Sequence, residues 1–107
     1  MKSFEEKYQE LDTTMMDFLE GIRQDNFMAG KAMKLKEGLI DLYKDTVKTE
    51  EGRKVTKLAE MTSIIMEELN GFVCDTDDAD SAVVADNIHN DIGYALEQIA
   101  SGNEDEI

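Results

Sequence analysis

Residues Asp75–Asp86, DTDDADSAVVAD, set oxygen-bearing side chains at the first, third and last of twelve positions. That is the outline of a calcium loop, in which carboxylates and carbonyls wrap a hard cation. Such a loop also needs an oxygen ligand at its fifth position and glycine at its sixth, where the chain turns sharply. Ala79 and Asp80 stand there instead, and the mid-loop apolar position holds only Ala82. The stretch reads as a solvated turn rich in helix caps.

Two further spacings could carry metal chemistry. Asp86 and His89 lie three residues apart, as in the carboxylate-x-x-His unit of di-iron bundles. A di-iron site needs two such units plus carboxylates from two facing helices, and His89 is the chain's single histidine. All-helical nucleotide pyrophosphohydrolases hold magnesium with Glu-Glu-x-x-Glu on one helix and Glu-x-x-Asp on the next. MEELNGF supplies Glu67 and Glu68 without the third Glu, and NIHND has no acid to open a Glu-x-x-Asp ending in Asp91. Cys74 is a poor nucleophile candidate, because its acidic neighbours Asp75, Asp77 and Asp78 disfavour a thiolate. No catalytic residue, metal ligand set or cofactor motif emerges.

The elements that carry these residues are legible from periodicity. Phe4, Tyr8, Leu11, Met15, Phe18 and Ile22 step by four and three, one stripe along a helix. Ser3 with Glu6 forms a capping box at its start. Asp25 or Asn26 is expected to cap a second helix carrying Met28, Ala32, Leu35, Leu39, Leu42 and Thr46, with Lys44 and Lys48 near its end. Thr49–Glu51 reads as the next start, ahead of Val55, Leu58, Thr62, Ile65, Leu69 and Phe72. Asn70–Gly71 is expected to stop that helix, leaving Val73–Asp80 as an acidic loop. Asp77, Asp80 or Ser81 is expected to cap a fourth helix with Val84, Ile88, Ile92, Ala95 and Ile99. Core filling accounts for most of the seven methionines, while Gly30, Gly38 and the small residues Ala29 and Ala32 suggest close helix approach.

These stripes predict an all-α fold, an antiparallel bundle of about four helices in one domain over residues 1–101. Residues 102–107 read as an acidic tail without fixed structure. The competing arrangement fuses the first two segments into one long helix and completes the bundle in a homodimer. A single cysteine, no signal-like leader and no long apolar run point to a cytoplasmic protein.

Charge is the strongest remaining signal. The net charge is −14, and residues 58–107 hold thirteen acids and no cation, whereas residues 31–57 hold eight cations against five acids. Such an excess repels nucleic acid and anionic lipid, so neither is an expected direct partner. Glu60 and Glu67 fall on the polar face of the third helix; Asp86, Asp91 and Glu97 belong to the fourth; Asp75, Asp77, Asp78 and Asp80 sit at the corner between them. Carboxylates on neighbouring turns lie ~6 Å apart, a spacing that can stand in for the phosphates of a duplex strand. These nine acids are the expected partner-binding residues.

In general character the chain resembles the compact acidic nucleic-acid mimics that phages direct against restriction or CRISPR effectors; the likeness is one of composition and carries over no residues. It implies a non-enzymatic protein that binds and inhibits a basic, nucleic-acid-binding protein. Immunity proteins that neutralise basic nucleases share the same physics. The alternatives are an oligomeric assembly or chaperone-like component, built by pairing the basic 31–57 segment of one copy with the acidic half of another, and the magnesium-dependent pyrophosphohydrolase.

Overall fold

The computed structural model describes residues 3–49 and 52–102, with the side chains of residues 47–49 and 52–55 excepted. Four helices follow one another: α1 (Phe4–Arg23), α2 (Ala29–Thr49), α3 (Gly52–Asp75) and α4 (Ala79–Ala100). Links this short force each helix back along its predecessor. α2 packs against α1 on one flank and α4 on the other; α3 closes over the seam, and α1 and α4 barely meet. Thr49 belongs to α2 rather than to the start of α3, and Glu50, Glu51, the side chains of Val47, Lys48 and Val55, and residues 103–107 of the tail lie outside the described residues.

The stripes are the core, except that Val84 of the fourth is exposed and Ala85 beside it is buried instead. Leu35, Leu39, Leu58, Leu69 and Ile92 are wholly buried, with Leu11, Met15, Phe18, Leu42, Ile65, Ile88, Ala95 and Ile99 beside them. Thr46 and Thr62 are buried among them because their hydroxyls bond back to Leu42 O at 2.6 Å and Leu58 O at 2.7 Å. Methionine divides: Met15 and Met61 are buried, whereas Met16 and Met33 are exposed.

The α1–α2 turn rules out a single fused helix, and the residues expected there take a different role. Asp25 adopts a left-handed conformation (φ 59°). Its N–H bonds Ile22 O at 3.0 Å, and the Asn26 N–H bonds Gly21 O at 2.7 Å. This double closure is a Schellman motif, so Asp25 and Asn26 terminate α1 rather than cap α2. Gly21 is required here, since a Cβ would stand 2.8 Å from Asn26 O and collide with the Met28 side chain. Gly38 has a packing reason of the expected kind, with Leu11 pressed against it, whereas Gly30 and Ala29 face open surroundings.

Asn70–Gly71 does not end α3, which continues to Asp75. Phe27, from the α1–α2 link, stacks on Phe72 at 4.8 Å and meets Phe18 edge-on at 5.7 Å. Val73 adds to the same cluster. Tertiary burial of the last turn outweighs the weak helix propensity of Asn and Gly. Nothing would meet a Cβ at Gly71. Gly71→Ala is therefore expected to stabilise the fold by about 0.5–1 kcal/mol, raising Tm by roughly 3–6 °C in a calorimetric melt.

Candidate interaction surface

The acidic corner is tighter than a loop spanning Val73–Asp80, because only Thr76, Asp77 and Asp78 separate α3 from α4. The cap of α4 is Asp78, not Asp77, Asp80 or Ser81. Its carboxylate accepts from Asp80 N at 3.2 Å, Ser81 N at 3.3 Å and Ser81 Oγ at 2.8 Å. Those bonds, the Ser81 hydroxyl first, favour the charged form and hold Asp78 below the ordinary aspartate range. A lowered carboxyl pKa adds stability that is complete above the unfolded value and is lost as pH falls through the folded one. Asp78→Ala should lower Tm at neutral pH and flatten the loss of stability below about pH 4, as followed by circular dichroism.

Asp75 is placed unfavourably for its own helix. It ends α3, where the partial negative charge of the helix terminus gathers, and no cation occupies that last turn. Asp77 and Asp80 are exposed beside it. The N-terminus of α4 offsets Asp78 and Asp80, whereas Asp75 and Asp77 have no cation within 4 Å among the described residues.

Along the helices the acids are spaced more widely than neighbouring turns would place them. Glu60 and Glu67 share one side of α3, two turns and about 10 Å apart. Asp86 and Glu97 share one side of α4, three turns and about 16 Å apart. Counting back from the short link sets Glu67 level with Asp86, and Glu60 level with the turn before Glu97. Glu60 also lies close enough to Tyr8 to help raise that phenol's pKa, behind burial and Asp12.

Asp91 leaves the set. It lies about 140° around α4 from Asp86, and its carboxylate is 3.6 Å from Lys36 Nζ of α2. The basic segment thus pairs partly within the molecule: Lys31 meets Asp17 at 3.4 Å, and Lys57 meets Glu5 at 3.8 Å. From α1, Lys7 meets Asp45 at 3.3 Å and Asp41 at 3.7 Å. These neighbours raise the Lys7 pKa, the Asp45 hydrogen bond first. Among the described residues the other eight predicted acids have no cation within 4 Å, and all eight are exposed.

Comparison with protein-family models, with curated proteins and with solved structures finds no significant match. The surface must therefore be read from its own chemistry. Among the described residues no three His, Cys, Asp or Glu side chains converge to hold a metal ion, and no helix is long and apolar enough to cross a membrane. His89 sits half-buried with Nδ1 3.5 Å from Asn90 Oδ1, and Cys74 is exposed. Beside the acids, sequence reasoning passed over a groove of about 400 Å³ where α2, α3 and α4 meet, lined by Tyr43, Ser63, Met66, Glu67, Asn70 and His89. Ser63, Met66, Glu67 and Asn70 share one face of α3 at i, i+3, i+4 and i+7 spacing, but Tyr43 and His89 join them from α2 and α4, which no spacing within one helix reveals.

Proposed function

We propose that this is a non-enzymatic, cytoplasmic binding protein that docks its α3–α4 face and acidic corner on a basic, nucleic-acid-binding protein and blocks the groove that normally holds nucleic acid. One observation carries the reading. Glu5, Asp17, Asp41, Asp45 and Asp91 find lysine partners across helix boundaries, whereas among the described residues the eight acids of the face and corner have no cation within 4 Å. Unpaired like charge destabilises a compact fold, so a surface that keeps it implies a cationic partner. Wide spacing along each helix is offset by the two helices running side by side and by the dense corner. The interaction would steer association strongly and weaken with salt.

The test is capture from a lysate at ~0.1 M salt, followed by washing with duplex DNA and then with ~0.5 M salt, at which the screening length shrinks to a few ångströms. Basic nucleic-acid-binding proteins should be retained and then displaced by the duplex. Retention of proteins that DNA leaves in place would reject the reading. A second reading, self-assembly through an apolar patch rather than through paired basic and acidic segments, is favoured by the exposure of Val83 (59%) and Tyr94 (51%) on the outward side of α4. It predicts oligomers that persist or grow at 0.5 M salt in sedimentation runs, where the first reading predicts a monomer at both salts.

A further inference from the structure

We infer that the groove at the meeting of α2, α3 and α4 is a receptor for one arginine side chain; this rests on the basic-partner reading and names the chemistry that its surface recognises. The lining suits a guanidinium for three separate reasons. Among the described residues it carries acceptors and no lysine or arginine: the Glu67 carboxylate, the Asn70 amide oxygen, the Ser63 hydroxyl and the His89 imidazole. A guanidinium offers five donors in a rigid fork and no acceptor, so a set of acceptors spread around one groove can satisfy it. Tyr43 and Met66 add an aromatic face and a polarisable thioether on which the flat cation and its apolar stem can lie.

The aromatic and thioether walls of the groove are held in place. Tyr43 is packed against the core, and its hydroxyl lies 3.4 Å from Thr62 Oγ1, whose own proton bonds Leu58 O. The Met66 methyl rests 3.7 Å from where a Cβ would stand on Gly93, so α4 closes on α3 beside the groove. At about 400 Å³ the space admits one long side chain laid along it, and it is a shallow groove open to solvent over most of its extent. Glu67 supplies the local charge; Glu60, two turns away on the same side of α3, is outside the lining.

Titration with N-acetyl-arginine-methylamide, followed by ¹H–¹⁵N chemical shifts on the intact chain, tests this without any partner protein. Saturable shifts are expected at Ser63, Met66, Glu67, Asn70 and His89, with the uncharged citrulline analogue giving none that saturate. Glu67→Gln should weaken the arginine affinity about fivefold, and Glu60→Gln, the same loss of charge outside the groove, less than about twofold. Both sites are exposed, so both variants keep the fold. Equal effects of the two variants, shifts centred on residues 75–80, or saturation by citrulline would each overturn the groove. The acidic face could still hold a basic partner in the first two cases, and groove binding without any captured basic protein would reject the partner reading alone.

Discussion

Exchanging Asp75, Asp77 and Glu97 together for lysine should leave the protein folded and weaken its hold on a captured basic partner about a hundredfold at ~0.1 M salt. All three side chains are exposed and have no cation within 4 Å among the described residues, so no ion pair among those residues is lost. A lysine at the end of α3 even complements the helix terminus there. Asp78 is deliberately left in place, since its carboxylate closes the first turn of α4. Removing it would confuse a lost interface with a loosened helix. The defect should shrink to under about tenfold at ~0.5 M salt, because the lost attraction is screened in wild type as well. Calorimetric titration of wild type and variant at the two salts reads both numbers. An undiminished affinity at low salt would place the interface away from the corner.

Leu39→Asp should unfold the chain outright. Leu39 is 0% exposed in the middle of α2, the helix that touches all three others. The change removes a buried side chain, a loss of ~2–5 kcal/mol when Leu becomes Ala. It also strands a carboxylate without a partner, which adds several kcal/mol more. Together these match or exceed the ~5–15 kcal/mol by which a domain is stable. Leu39→Met, which nearly keeps the volume, should cost under about 1.5 kcal/mol. Far-ultraviolet circular dichroism at 25 °C separates the two. A helical spectrum from the Asp variant would contradict the packing described for α2.

Where the fold was legible, a local rule and the tertiary structure agreed. Ser3 caps α1 as its capping box demands, accepting from Glu6 N at 3.2 Å. The four stripes became the core because period 3.6 leaves only one face to bury. Thr46 and Thr62 fitted the stripes despite their hydroxyls, since each closes its own bond to the preceding turn.

Failures came where a distant residue overrode a local signal. Asn70–Gly71 carries a good stop signal, but Phe27, 45 residues before Phe72, holds the next turn in place. Asp25 performs the left-handed turn that glycine usually supplies. At the corner several adjacent acids were equal candidates for the cap; the Asp-x-x-Ser spacing from Asp78 to Ser81 was the signal that could have chosen. Asp91 was grouped with its neighbours by charge alone, although helix geometry turns it towards Lys36. The groove was invisible because Tyr43, Glu67 and His89 meet only after three helices have packed.

The most direct test follows a fluorescent duplex bound to the captured partner while this protein is added at ~0.1 M salt. If α3, α4 and their corner take the place of phosphates, anisotropy falls to that of free duplex at about one equivalent. The lysine triple variant should then require a far higher concentration. A rise in anisotropy, marking duplex and protein held together on the partner, would contradict the account.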